Sequence, residues 1–212
     1  MKPLLLHPCY FGPIDMYASI AQADSFVFEK EDNYQKQTYR SRQYIYGANG
    51  KLLLNIPIKH RENKTDQQQK YKDIRIENTF KWQPLHWKSL EAAYKTSPFF
   101  EFYEDEFAPL FEEKAIFLMD FNLMATKIVF ECLQLDFSFK VTEEFKLKPE
   151  GYNNQRHLVN SKRKSAANLE EYIQVFQAKH GYIPNLSILD LLFNAGPSAL
   201  EYLDSQILIQ KA

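Results

Sequence analysis

The chain has few cysteines and no long apolar run, and these two absences exclude several classes of protein. Cys9 and Cys132 are the two cysteines in 212 residues, too few for a disulfide framework or a thiolate zinc site. The apolar run Leu4–Leu6 is far shorter than the ~7–15-residue core of a signal peptide. No stretch approaches the ~18 apolar residues of a membrane span. We therefore expect a cytoplasmic protein without a membrane-spanning helix.

An excess of positive charge is also missing. The chain contains 26 Lys plus Arg and 27 Asp plus Glu, which gives a formal net charge of -1. Proteins that bind nucleic-acid backbones normally carry a basic excess, so we expect no nucleic-acid partner. The basic run Lys162–Lys164 keeps such a partner as a minor alternative, although short basic runs usually form solvated faces.

Common catalytic motifs are absent as well. The sequence has no G-x-G-x-x-G, Walker A, H-E-x-x-H, G-x-S-x-G or C-x-x-C segment, which excludes the usual dinucleotide, P-loop, zincin and hydrolase-elbow sites at motif level. His60, His157 and His180 lie in polar surroundings without a partner at metal-ligand spacing. We predict no metal site, and the residues identify no cofactor.

Local patterns predict an α/β fold. Two short apolar runs, Leu4–Leu6 and Ser25–Phe28, flank the helical periodicity of Ile14–Ala21, which is typical of a β-α-β unit. Asn49–Gly50 then joins two strand-like segments as a hairpin. Helical periodicity dominates from Trp82 onward. We expect a single domain, residues 1–212, in which a small mixed sheet in residues 1–80 packs against a mainly helical part in residues 81–212.

Two histidines are candidate proton-transfer groups. His7 follows the first strand, at the sheet edge where open α/β folds commonly bind ligands, and its ordinary pKa near ~6.5 suits proton transfer at cellular pH. Cys9, two residues later, is a weaker candidate nucleophile. His86 lies between Trp82 and Trp87 on a predicted helix. The alternative for each residue is a packed side chain without a chemical role.

Three cations lie close together in the polar segment before the hairpin. Lys36, Arg40 and Arg42 are interleaved with aromatic residues such as Tyr34. Guanidinium groups suit phosphate or carboxylate oxygens, and alternation in an extended segment directs Arg40 and Arg42 to the same side. The segment is equally compatible with a solvated charged loop.

Several ordered motifs resemble the WbqC-like family over nearly the whole chain. They include P-C-Y at Pro8–Tyr10, the stretch Ala18–Ile58 with its cation-rich segment, its Asn-Gly turn and its I-P-I strand, the helix motif at His86–Tyr94, and P-N-L-S-I-L-D-L-L at Pro184–Leu192. The residues of this chain that match positions of the family motifs are His7, Pro8, Tyr10, Lys36, Arg40, Arg42, Asn49, Gly50 and His86. The glutamine common in the first motif is His7 here, and Gly12–Pro13 stands where Pro-Trp often follows.

The resemblance implies a role in surface polysaccharide (O-antigen-type) synthesis. A glycine, aminoacyl or acyl transfer to an amino sugar or a nucleotide sugar is the expected reaction. Lys36, Arg40 and Arg42 would hold phosphate or carboxylate, Tyr10 and Tyr34 would shape the sugar site with Asn49 from the turn motif, and His7 or His86 would accept a proton. The alternative is a non-catalytic binding or scaffold protein for precursor assembly, because no complete catalytic constellation is present.

Overall fold

Short strands and mostly short helices make up the computed structural model, which describes residues 2–59, 68–136 and 138–209. The strands are β1 (Leu4–Leu6), β2 (Phe26–Phe28), β3 (Arg42–Gly47), β4 (Gly50–Asn55), β5 (Lys140–Val141), β6 (Asn153–Asn154), β7 (Ala167–Asn168) and β8 (Ile207–Leu208). The helices are α1 (Ile14–Ala21), α2 (Trp82–Tyr94), α3 (Phe100–Phe107), α4 (Pro109–Glu112), α5 (Leu118–Cys132), α6 (Gln177–His180), α7 (Ile188–Ala195) and α8 (Ala199–Ser205).

A parallel sheet with the strand order β5-β2-β1-β6 organises the N-terminal part. β1 and β2 are fully buried and pair in parallel, with Leu5 opposite Val27. The predicted β-α-β unit is therefore confirmed. β5 and β6 extend this sheet on either side, although each contributes two residues.

The hairpin β3–β4 forms a separate antiparallel sheet. Its register runs from Arg42 opposite Asn55 to Gly47 opposite Gly50, and Gly50 has a φ of 98°, a conformation that glycine adopts without steric cost. The Asn-Gly turn signal is confirmed. The α/β architecture is also confirmed, with parallel and antiparallel strands in different sheets.

The helices pack around the strands, and many of the buried side chains between them are aromatic. α1 packs against α7 and α8, and α2 packs against α4 and β3. Ser187 caps α7, because its Oγ accepts a hydrogen bond from the Leu189 N–H (3.3 Å). Gly196 ends α7 with a φ of 55°, and a Cβ there would lie 2.5 Å from the Phe99 ring, so only glycine fits.

No helix in the described ranges is long and apolar enough to cross a membrane.

Candidate functional site

A half-open cavity of about 650 Å³ lies at the base of the hairpin, where β3 begins and β4 ends. Its floor consists of three adjacent extended segments. Arg42 of β3 pairs with Asn55, β4 continues through Ile58, and Ile58 forms an antiparallel bridge with Ile76. The Glu77 N–H donates to the Pro57 carbonyl oxygen (2.9 Å). The volume is in the usual range for small-molecule sites, roughly 300–1,000 Å³.

Three cationic side chains line this cavity. They are Lys36 from the loop before the hairpin, Arg42 from β3 and Lys59 from the continuation of β4. Within residues 2–59, 68–136 and 138–209, none of the three forms an ion pair with a carboxylate. Three cations and one carboxylate, that of Glu77, line the cavity, and this excess of positive charge suits an anionic ligand.

Aromatic rings bound the cavity on two sides. Tyr34 is half-buried, and its hydroxyl donates to Ser41 Oγ (2.9 Å). Phe80 is 66% exposed at the rim. Aromatic side chains can pack against the apolar face of a sugar or against a base, and the cavity lining combines two of them with three cationic groups.

Arg40 does not line the cavity but lies behind it in a buried ionic cluster. Its Nη2 donates to Asp32 Oδ2 (2.8 Å) and to His7 Nε2 (2.6 Å), and its Nη1 donates to the Asn33 carbonyl oxygen (3.0 Å). The guanidinium also lies over the Tyr71 ring, 5.1 Å from the centroid. Arg40 is 0% exposed, so its donors are directed at the protein interior.

The same cluster determines the state of His7. His7 Nε2 lies between the Arg40 guanidinium (2.6 Å), which can only donate, and the Asp32 carboxylate (3.1 Å), which can only accept, and Nδ1 lies 3.5 Å from the Glu29 carbonyl oxygen. Burial, and then the charge of Arg40, lower the pKa of His7 to about 4. His7 is thus neutral at cellular pH, with both ring nitrogens engaged.

Polar side chains follow all four strands of the parallel sheet at their carboxyl ends. His7 follows β1 and Glu29 follows β2, while Thr142 after β5 and Arg156 after β6 both bind the Glu29 carboxylate (2.6 Å and 3.2 Å). A network of side chains therefore joins the strands at the predicted ligand-binding edge, and Glu29 and Thr142 of this network also line a second cavity of about 550 Å³.

His86 and Tyr10 form a second buried pair behind the cavity floor. The Tyr10 hydroxyl lies 2.9 Å from His86 Nδ1, and the rings stack with centroids 5.7 Å apart. Burial lowers the pKa of His86 to about 4, opposed by a hydrogen bond with the backbone of Asn55, a residue that lines the cavity. Burial also raises the pKa of Tyr10. Neither side chain lines the cavity.

Asn49 lies at the opposite end of the hairpin from the cavity. The turn is exposed, and the neighbouring Ala48 carbonyl oxygen accepts hydrogen bonds from Lys179 Nζ (3.1 Å) and His180 Nε2 (2.9 Å). A strand rises about 3.4 Å per residue, so the six-residue strand β3 places Asn49 roughly 15 Å or more from Arg42.

The buried histidines predict a loss of stability in mild acid. The folded protein resists protonation of His86 until about pH 4, whereas the unfolded chain takes up the proton near 6.5. The free energy of unfolding is therefore unaffected by His86 above about pH 6.5 and decreases as the pH falls from 6.5 toward 4. Asparagine can place a hydrogen-bond acceptor near the position of Nδ1 but does not titrate. Between roughly pH 7 and pH 5, the free energy of unfolding of His86→Asn should therefore fall by about 2 kcal/mol less than that of the parent. Urea unfolding at both pH values measures this difference, and equal losses would contradict it.

Other candidates from the sequence have structural roles or lie outside the described ranges. Burial raises the pKa of Cys9 to about 12, which leaves the thiol protonated and a poor nucleophile. In the basic run, Arg163 forms a two-point ion pair with buried Asp15 (2.6 Å and 2.7 Å). No cluster of metal-ligating side chains occurs in the described part of the chain. His60 is outside the described residues.

The structure thus divides the predicted site residues into four places. Tyr34, Lys36 and Arg42 share the cavity, His7 and Arg40 share the ionic cluster, Tyr10 and His86 form the buried pair, and Asn49 is at the hairpin tip. Among the cavity residues that sequence reasoning did not identify are two charged side chains and one aromatic side chain, Lys59, Glu77 and Phe80. Their only signal was proximity in sequence to the I-P-I strand and to the Ile74–Ile76 segment.

Buried polar atoms without a hydrogen-bond partner are concentrated beside the cavity. Among the described residues they are Arg40 Nε, Arg42 Nε, both amide atoms of Gln43 and Asn122 Oδ1. Asn122 lies in the same region, since its Nδ2 donates to the Arg40 carbonyl oxygen (2.6 Å). Such atoms are rare in native proteins and are often found at functional sites.

Comparison with known proteins gives one family and one distant relative. A family model described as "WbqC-like protein family" matches residues 7–175, a range that contains every residue of the cavity, the ionic cluster and the buried pair. The Mycobacterium tuberculosis (strain ATCC 25618 / H37Rv) protein "Uncharacterized protein Rv1507c" is 26% identical over 215 residues, covering 87% of this chain and 89% of that protein. No solved structure is a significant match.

Proposed function

The chain belongs to the WbqC-like protein family, and we propose that its cation-lined cavity binds a nucleotide sugar or a phosphorylated amino sugar. The observation that carries this proposal is the convergence of Lys36, Arg42 and Lys59 on one cavity, without ion-pair partners in the described ranges. Guanidinium and ammonium donors bind phosphate oxygens through charge-assisted hydrogen bonds.

In this proposal the bound sugar is the acceptor of a glycine, aminoacyl or acyl group during surface polysaccharide synthesis. Arg42 and Lys36 hold the phosphate, while Tyr34 and Phe80 contact the sugar ring or the base. The ionic cluster of His7, Asp32 and Arg40 fixes the loop that carries Tyr34 and Lys36, because Arg40 binds Asp32 and the Asn33 carbonyl oxygen directly before Tyr34.

The second candidate is a non-catalytic binding protein for such precursors. It is favoured by the positions of His7 and His86, which do not line the cavity and which burial holds neutral. Incubation of the bound sugar with candidate acyl donors separates the two functions. A covalent increase in the mass of the sugar supports the transferase, and an unchanged sugar that binds tightly supports the binding protein.

Replacing Arg42 with alanine tests the shared first step. A charge-assisted hydrogen bond contributes about 1.5–3 kcal/mol, so Arg42→Ala should weaken binding of UDP-N-acetylglucosamine about 10- to 100-fold. Isothermal titration calorimetry measures this change after a thermal-shift screen of nucleotide sugars. Arg42 is partly buried but forms no ion pair in the described ranges, so its removal should lower the melting temperature by about 2 °C or less.

Arg75→Ala is the matched control. Arg75 lies on the neighbouring floor segment, but its guanidinium packs on the Phe117 ring (5.1 Å to the centroid) instead of lining the cavity. Its removal should leave the affinity within about twofold, as for a surface charge outside the site. Unchanged binding by Arg42→Ala would contradict the phosphate-holding role.

A further inference from the structure

The cavity also contains a negative side chain. Glu77 is the only acidic residue among the described residues that line it. Its backbone belongs to the third floor segment, bonded to Pro57, whereas Arg42 belongs to the first. Two strand spacings of about 4.8 Å therefore separate the backbones of Arg42 and Glu77. The floor of the cavity therefore carries Arg42 on its first segment and, across the second segment, the Glu77 carboxylate beside the Lys59 ammonium group.

Local contacts hold this carboxylate in an ionised state. Glu77 Oε1 accepts a hydrogen bond from the Thr79 N–H (3.0 Å). That hydrogen bond, together with the charge of Lys59, holds the pKa of Glu77 below its ordinary value. A carboxylate of low pKa is a poor proton acceptor but a good partner for a cation. Its chemistry in the cavity is therefore charge pairing with the ligand.

We infer that Glu77 selects ligands that carry a free amine in addition to phosphate. This inference rests on the proposed function and names its substrate class: an amino sugar whose amine is unsubstituted and protonated. Lys36 and Arg42 hold the phosphate, the sugar ring lies across the floor beside Phe80, and the ammonium group pairs with Glu77. One short segment, Glu77–Phe80, thus supplies both the charge contact and the ring contact. An N-acetylated sugar has no charge at this position and gains nothing from Glu77.

Two probes that differ only at this nitrogen test the inference. UDP-glucosamine and UDP-N-acetylglucosamine have the same base, phosphates and ring, and at about pH 6.5 a primary amine is mostly protonated. The parent should bind UDP-glucosamine two- to fivefold more tightly at low salt, the range for a solvent-accessible ion pair. The preference should shrink in ~1 M salt, where the screening length is about 3 Å.

Glu77→Gln removes the charge while keeping an oxygen for the Thr79 N–H. It should abolish the preference, so that the ratio of the two affinities falls to about one. Glu171→Gln, an exposed glutamate that does not line the cavity, should keep the parent's preference. Titration calorimetry of the parent and both variants with both probes gives all six affinities.

The outcomes separate this inference from the proposed function. Loss of the preference only in Glu77→Gln supports amine selection. Equal binding of both probes by the parent, or a preference that survives in Glu77→Gln, overturns amine selection while the cavity still binds nucleotide sugars. Failure of the parent to bind either probe, with Arg42→Ala equally inactive, contradicts the proposed function itself.

Discussion

Arg40→Ala is expected to lower the free energy of unfolding by about 3–5 kcal/mol, the usual cost of breaking a buried ion pair by removing one partner. Arg40 is 0% exposed and contacts Asp32, His7 and the Asn33 carbonyl oxygen. Its removal leaves Asp32 without its cation and His7 Nε2 without its donor. For a chain of this size the melting temperature should fall by roughly 10 °C.

The neighbouring arginine is the natural comparison for this effect. Arg42 is two residues away, is only partly buried and has no ion pair in the described part of the chain, so Arg42→Ala should change the melting temperature by about 2 °C or less. Calorimetric or circular-dichroism melting of both variants makes the comparison. A fall of less than about 3 °C for Arg40→Ala would mean that the ionic cluster does not stabilise the fold.

Asp15→Ala should have an effect of similar size at a different place. Asp15 is 0% exposed in the first turn of α1, and its carboxylate accepts hydrogen bonds from both terminal nitrogens of Arg163 (2.6 Å and 2.7 Å) and from the Ala166 N–H (2.7 Å). Alanine leaves a guanidinium without its carboxylate in a mostly buried position. We expect a loss of about 3–5 kcal/mol in urea unfolding.

A double-mutant cycle identifies the pair as the cause. Asp15→Ala combined with Arg163→Ala should cost less than the sum of the two single variants by about 2 kcal/mol, because residues in direct contact are coupled. Asp105→Asn, at an exposed position of α3, should change stability by less than about 0.5 kcal/mol. If the free-energy losses of the two single variants simply add in the double variant, the Asp15–Arg163 ion pair is not the cause of the loss.

Arg163 also shows how tertiary structure changes the interpretation of a charged run. In the sequence, Lys162–Lys164 was a minor candidate for binding nucleic acid. In the structure, the central cation of the run is bound to Asp15, about 150 residues earlier in the chain. That distance in sequence leaves no local pattern from which the pairing could be recognised.

Arg40 and Arg42 also show that contacts between distant residues limit what a local pattern can predict. Alternation in an extended segment predicts that Arg40 and Arg42 face the same side, but β3 begins at Arg42 and Arg40 still belongs to the preceding loop. The chain bends at Thr38–Ser41, where the Ser41 N–H donates to the Thr38 carbonyl oxygen (3.2 Å). One arginine therefore enters the interior and the other enters the cavity.

The sequence by itself determined the β-α-β start, the Asn-Gly hairpin and the long helices α2 and α5. Each depends on a periodicity or a turn preference that operates within a few residues. It also indicated the family, which the match over residues 7–175 confirms; the motif at Pro184–Leu192 lies outside that range.

Only the tertiary structure decided which polar groups line the cavity and which form buried contacts within the protein. Arg42, Lys59 and Glu77 reach one cavity because three separate segments pair at the base of the hairpin. His7 and Arg40 are buried because they contact each other and Asp32 in a cluster built from residues far apart in the sequence. The physical reason is that burial and charge pairing depend on contacts between distant residues, which no local pattern records.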